Sequence, residues 1–302
     1  MKSLRSLSAI LTLIVTLSAA QAQSPALPPF AHAKLSLCDG LPCVDTQIGD
    51  KHLRLGIDSG DPESVLSLQT AQTLGLTLKP VMGDDGKPIE HMQQATATNI
   101  VIGDVVFKQI TFLVFDLSKA ISGGTFPHVD GTLAYGAFKD RILQLDYPGG
   151  VLNLSQPLTA PTVCPANCGD ISLITFGHRG PPIVTTTGFT VNGKPIAVQI
   201  DTMFVGDLLI YPTSVDKLGL TTEAQSKTSQ YIPFTDGGVD VFQSQAHQVG
   251  FGSRVLVTKA PLYFAGPKVH LPDGLFDGTV GATLLAPYKV TFNFHDNKFW
   301  LD

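Results

Sequence analysis

The strongest constraint on this 302-residue chain is a repeated phrase: Leu53-Arg54-Leu55-Gly56-Ile57-Asp58-Ser59-Gly60 and Ile196-Ala197-Val198-Gln199-Ile200-Asp201-Thr202-Met203. Each is an alternating apolar strand pattern that ends in an aspartate followed by a small hydroxyl residue. Each then leads to a short helical pattern closed by Leu-Gly-Leu. The aspartates lie 143 residues apart, the Leu-Gly-Leu glycines Gly75 and Gly219 lie 144 apart, and Asp130-Gly131 precedes Asp277-Gly278 by 147. The closing segments Val151-Leu152-Asn153-Leu154 and Lys298-Phe299-Trp300-Leu301 keep that last offset. Four landmarks in one order, drifting by only a few residues, describe a duplicated domain; the period is far too long for a solenoid. Duplication places two equivalent carboxylates where a pseudo-twofold axis can bring them face to face, and paired carboxylates do acid–base chemistry.

Composition narrows the class. Lys2 and Arg5, the apolar run Leu7 to Leu17 and Ala20-Gln21-Ala22 read as a signal peptide over residues 1–22. That run is too short and too interrupted by Ser and Thr to span a membrane. The expectation is an exported chain, periplasmic or secreted, without a membrane span once processed. The net charge is −5 and becomes more acidic when Lys2 and Arg5 are removed, which argues against nucleic acid or an anionic membrane as partner. The remaining chain, about 280 residues, suffices for two domains each with a core. A chain of this kind is expected to act as a monomer on a peptide or protein substrate.

All four cysteines follow the signal segment, as Cys38/Cys43 and Cys164/Cys168. Export favours disulfides, and the spacing favours two local loops. Bridging between the halves and a four-cysteine zinc site are the alternatives, the latter opposed by loose spacing and no accompanying His. The eight histidines show no metal spacing, so neither a metal nor another cofactor is expected.

Residues 23–33, rich in Pro and Ala, read as a linker. Residues 34–156 form the first lobe, 157–170 the connection and 171–302 the second lobe. Short alternating segments such as Ala95 to Val101, Val105 to Phe115 and Arg254 to Tyr263, broken by Gly, Pro, Asn and Asp, indicate a mainly β architecture of two β-barrel lobes. Helix is expected only near Ser67 to Leu74 and Pro212 to Leu218. The polar stretches Met82 to Gln94 and Thr221 to Gly238, with tips at Gly86 and Gly237, read either as exposed hairpin loops or as flaps over a cleft. Tyr288, Phe292, Phe294, Phe299 and Trp300 read as core packing.

The segment Asp58-Ser59-Gly60-Asp61-Pro62-Glu63-Ser64-Val65-Leu66 after an apolar strand is similar to the active-site motif of the aspartic proteases, and the chain most resembles the retropepsin-like type found in bacterial exported proteins, here with both lobes in one chain as in pepsin. Asp130-Gly131-Thr132-Leu133-Ala134 and Asp277-Gly278-Thr279-Val280-Gly281 are similar to that family's second strand element. The resemblance implies Asp58 and Asp201 as a catalytic dyad that activates water, with Ser59, Gly60 and Thr202 supporting it and Asp61, Gly86, Met203 and Gly237 at the cleft. Two close carboxylates that share a proton supply both the base and the acid that peptide hydrolysis needs. The chain departs from the family pattern at Met203 and Ala134, where Gly is expected, and at Asp61, where a small apolar residue is usual. A Met203 side chain pointing between the aspartates favours the alternative, a catalytically silent protein that binds a peptide or protein in the cleft; turned away, it leaves catalysis intact. Restoring glycine at 203 is expected to raise cleavage or leave it unchanged.

Overall fold

The structure is a computed structural model that describes residues 30–83, 85–117, 128–162, 164–165, 167–175, 182–220, 226–231, 238–265 and 275–302. The chain is mainly β, with four short helices among the described residues, Leu68–Thr73, Tyr135–Phe138, Pro212–Leu218 and Ala282–Leu285. The expected signal peptide and Gly237 fall outside the described residues.

Alternation decides which faces are buried. In Pro88–Ile102 the side chains of Ala95, Ala97, Ile100 and Ile102 are buried, and in Val105–Phe115 those of Ile110, Phe112 and Val114. These two strands pair as an antiparallel hairpin, Ala95 opposite Phe112. Their inward faces meet Leu55, Ile57 and Leu133 in a common core. The C-terminal half builds the same kind of core from Phe189, Val191, Val198, Ile200, Val249 and Val280. Phe292, Phe299 and Trp300 are buried as expected, with Phe292 and Phe299 rings 5.2 Å apart.

The strand that carries each aspartate has the same neighbours in both halves. Lys51–Asp58 runs parallel to Gly131–Ala134, pairing Asp58 with Ala134. Lys194–Asp201 runs parallel to Gly278–Gly281, pairing Asp201 with Gly281. Val65–Ser67 lies antiparallel to Gly131–Ala134 and parallel to Val105–Phe115; Leu208–Ile210 repeats both relations with Gly278–Gly281 and Arg254–Ala265. An antiparallel sheet joins the halves: Phe30–Cys38, Val151–Ser155, Ile142–Asp146, Lys289–Asn293, Lys298–Leu301 and the start of Cys168–Thr175 follow one another in it. At its centre Gln144 lies opposite Thr291, its own counterpart at an offset of 147, and donates to the Thr291 hydroxyl at 3.0 Å. That pairing is consistent with a pseudo-twofold axis through the sheet.

Several boundaries differ from expectation. Residues 30–33, read as linker, are strand, because Phe30 to Ala33 pair with Leu152 to Ser155 far along the chain. Residues 168–170, read as connection, pair with the C-terminal strand. The polar stretch from Met82 is mostly strand: Lys79–Met82 and Pro88–Ile102 form a hairpin, and residues 85–87 turn between them. Gly86 takes a φ of +75° there, which glycine tolerates. Ser226–Tyr231 and Gly238–Phe251 form the corresponding hairpin. The helix Leu68–Thr73 begins where Ser67 accepts a hydrogen bond from the Thr70 amide at 3.0 Å. The cysteines pair locally, Cys38 with Cys43 and Cys164 with Cys168. Among the described residues no helix is long and apolar enough to cross a membrane.

Candidate functional site

Asp58 and Asp201 end their parallel strands, and the turn after each is tied to the other half. Ser59 donates its amide to the Thr202 hydroxyl at 3.0 Å, and Thr202 returns its amide to the Ser59 hydroxyl at 3.2 Å. Each hydroxyl then donates to the strand of the opposite half, Ser59 to the Ile200 carbonyl at 2.7 Å and Thr202 to the Ile57 carbonyl at 2.5 Å. Four reciprocal bonds among buried groups hold the two turns in one arrangement. Hydroxyl residues suit this place because one oxygen both donates and accepts.

The turns present the carboxylates alike. Asp58 Oδ1 accepts from the amides of Gly60 at 2.9 Å and Asp61 at 3.0 Å. Asp201 Oδ1 accepts from the Met203 amide at 2.9 Å. Gly60 does not adopt a left-handed φ; its lack of a side chain answers a different need. A Cβ at residue 60 would lie 2.5 Å from Asp201 Cγ and 2.8 Å from Asp201 Oδ1. The Asp201 carboxyl thus packs on the backbone of the Asp58 turn.

Met203 keeps the backbone bond that a glycine would make, and its thioether packs on the other half. A Cβ at Gly56 would lie 2.8 Å from both Met203 Sδ and Cε. Ala134, the second departure, is buried and donates its amide to Ser64 Oγ at 3.0 Å. Its counterpart Gly281 has no such room: a Cβ there would meet the Gly206 carbonyl oxygen at 2.5 Å.

The third departure, Asp61, joins the carboxylate group. Its amide donates to Asp58 Oδ1 at 3.0 Å, and its negative charge acts on both Asp58 and Asp201. Burial, then the negative charges of Asp61 and Asp201, hold the Asp58 carboxyl well above the usual range. Burial and Asp61 push Asp201 up to about 7, against the stabilising amides of Met203 and Phe204. Burial also raises Asp61, with Glu63 adding to it. None of the ion pairs among the described residues brings a cation to these three aspartates.

The loops beyond the aspartates are not equal. Tyr135 and Gly136 donate their amides to the Asp61 and Pro62 carbonyls at 3.2 and 3.0 Å. Ala282 and Thr283 donate theirs to Phe204 and Gly206 at 2.9 and 3.1 Å. Phe204 thus holds the place of Asp61, and Val205 is an extra residue, 63% exposed. One side of the site is acidic and the other apolar.

Asp130 and Asp277, prominent in the repeat, are structural. Asp130 accepts from the Arg54 amide at 2.8 Å, and Asp277 from the Ala197 amide at 2.8 Å. Burial works to raise Asp277, but hydrogen bonds from Lys217, Ser214 and Ala197 outweigh it and lower its carboxyl. Gly86 lies on the hairpin turn, and none of the hydrogen bonds among the described residues links it to the aspartates. Gly56, Gln199 and Thr132, which sequence reading did not single out, are at the site; each lies two residues before an aspartate or directly opposite such a residue in the neighbouring strand. Laying one repeat over the other would have exposed the Gly56/Gln199 difference. Among the described residues no group of three or more His, Cys, Asp or Glu side chains is arranged to hold a metal ion.

Comparison with known proteins agrees with the motif. The family model described as "Aspartyl protease" matches residues 44–135. A solved structure, a retropepsin-like aspartic protease from Rickettsia conorii, is similar at 18% identity over 44% of this chain and 96% of that one, with a TM-score of 0.30. Comparison with curated proteins returned no match. Residues 44–135, the part that is similar to the aspartyl protease family model, hold Asp58, Ser59, Gly60 and the Asp130-Gly131-Thr132 strand.

Proposed function

We propose that this protein is an exported aspartic-type endopeptidase in which Asp58 and Asp201 form one dyad built from two lobes, 34–156 and 171–302. The observation that carries this reading is the reciprocal Ser59/Thr202 bonding, which ties together the two turns bearing buried, elevated carboxyls. Two such groups hold a single proton between them over a range in which a lone aspartate would be fully ionised. The ionised carboxylate takes a proton from a water molecule, whose oxygen bonds to the peptide carbonyl carbon, while the protonated carboxyl gives its proton to the carbonyl oxygen. Transfer of a proton to the amide nitrogen then lets the C–N bond break, releasing a new carboxyl and a new amine. No metal and no covalent intermediate is needed.

The hairpin that turns at Gly86 and the hairpin of Ser226–Tyr231 with Gly238–Phe251 serve in this reading as the cover of the cleft, and the substrate is a peptide or an unfolded segment of a protein. The two disulfides suit an exported chain. Met203 was the feature on which the silent alternative turned; its amide still serves Asp201 and its thioether packs on Gly56, which supports the catalytic reading. The test is cleavage of an unstructured protein by the purified mature chain from acidic to neutral pH. Asp58→Asn and Asp201→Asn are each expected to abolish cleavage, because neither carboxyl alone supplies both proton transfers. Full-rate cleavage by both variants would assign the activity elsewhere.

A further inference from the structure

Counted back from the two aspartates, Gly56 and Gln199 hold the same place, and counted forward, so do Gly60 and Met203. The two halves fill these places in opposite ways. In the C-terminal half, Gln199 reaches across and donates from Nε2 to the Gly60 carbonyl at 2.9 Å. Its Oε1 accepts from Thr279 Oγ1 at 3.3 Å, and that hydroxyl is in turn bonded to the Tyr211 hydroxyl at 2.7 Å. At the matching contact, between the N-terminal strand and the C-terminal turn, the large residue is on the turn and the small one on the strand: the Met203 thioether occupies the space that a side chain at Gly56 would need. Thr132, opposite Gly56 as Thr279 is opposite Gln199, shows the consequence of the exchange. Its Oγ1 is buried without a hydrogen-bond partner.

The geometry points to Met203 and Gly56 as a matched pair that positions the dyad: the methionine that stands in place of the motif glycine is accommodated because the opposite strand carries no side chain at residue 56. Gly56 precedes Asp58 by two residues, and the intervening Ile57 carbonyl accepts the Thr202 hydroxyl at 2.5 Å. Met203 holds Asp201 Oδ1 through its amide. The thioether contact therefore presses the Asp58 strand against the Asp201 turn, as Gln199 does on the other side. Met203 is a positioning residue, and removing its side chain leaves a gap beside the dyad instead of restoring a normal turn. This inference rests on the peptidase reading for its kinetic part alone.

The experiment compares wild type, Met203→Gly, Gly56→Gln, the double variant Gly56→Gln/Met203→Gly and the conservative Met203→Leu. The double variant lets the N-terminal strand make on the C-terminal turn the glutamine-on-glycine contact that the C-terminal strand makes on the N-terminal turn, and it offers Thr132 a partner. Thermal unfolding is measured for all five, and kcat and KM separately where cleavage is seen. Met203→Gly is expected to lower kcat by about tenfold or more with KM changed by less than about twofold, as a small displacement of reacting groups does. Met203→Leu keeps most of kcat. Gly56→Gln lowers Tm through collision with the thioether, and the double variant recovers Tm and kcat toward wild type. Met203→Gly with wild-type or higher kcat overturns the positioning role. A double variant no more stable than Gly56→Gln alone overturns the pairing. The unfolding data decide the pairing even for a chain that cleaves nothing, so failure of the peptidase reading shows separately.

Discussion

Gly60→Ala adds one methyl group at the point where the two halves touch most closely. The added carbon would lie 2.5 Å from Asp201 Cγ, 2.7 Å from its Cβ and 2.8 Å from its Oδ1. Carbon atoms in ordinary contact are about 3.5–4.0 Å apart, so the groups must separate by about 1 Å. Little nearby can yield. Asp201 is held through Oδ1 by the Met203 amide, Thr202 is locked to Ser59 and Ile57, and the Gly60 amide is bound to Asp58. The separation therefore falls on the spacing of the carboxyls. Alanine is compatible with the backbone at residue 60, which lacks a left-handed φ, so the effect isolates packing. Overpacking of this kind costs about 1–3 kcal/mol, seen as a Tm lowered by several degrees. A displacement of about 1 Å in a catalytic group costs on the order of a hundredfold in rate. Thermal unfolding and steady-state cleavage by the purified variant measure both. Gly60→Ala with the Tm and kcat of wild type would refute the contact between Asp201 and the Asp58 turn.

Two further expectations concern charge. Asp61→Asn removes a negative neighbour that raises both Asp58 and Asp201, so the alkaline limb of the cleavage profile should move to lower pH; a limb that stays in place or moves up contradicts the cluster. The raised carboxyls also make stability depend on pH. A carboxyl whose pKa rises on folding contributes stability that is fully present below its unfolded value, near 3.8, and is lost as pH climbs through its folded value, about 7 for Asp201. Asp201→Asn should therefore gain on wild type between those two values, by on the order of a few kcal/mol at most. Denaturant unfolding at a series of pH values checks this, and parallel curves for the two proteins would contradict it.

The repeat was legible because each copy keeps the local pattern that its aspartate requires: an alternating strand, a hydroxyl residue, a short helix. Helix positions followed from the Leu-Gly-Leu closures at Gly75 and Gly219 and from Pro212, which suits a first turn. Other features depend on partners distant in sequence. Phe30 to Ala33 looked like linker because their Pro- and Ala-rich context gives no local strand signal, and they become strand only against residues 152–155. Glu90 and His91 looked like loop because both faces of their hairpin arm are exposed, so no apolar alternation marks it. The departures at 61 and 203 were visible but their meaning was not. Whether Met203 obstructs or packs depends on Gly56, in the other half, and the role of Gly60 depends on Asp201. The extra residue Val205 emerges only when the carbonyls that receive the Tyr135, Gly136, Ala282 and Thr283 amides are matched.

The central claim is that Asp58 and Asp201 titrate as one unit. Carbon-detected NMR of aspartate side-chain carboxyls, recorded through pH 3 to 9 on wild type, Asp58→Asn and Asp201→Asn, follows those protons without relying on any substrate. The account predicts two coupled steps in wild type, one of them far above the ordinary aspartate value of 3.8, and a downward shift of each remaining aspartate when its partner is replaced. Two independent titrations near 3.8, unchanged by either substitution, would contradict it.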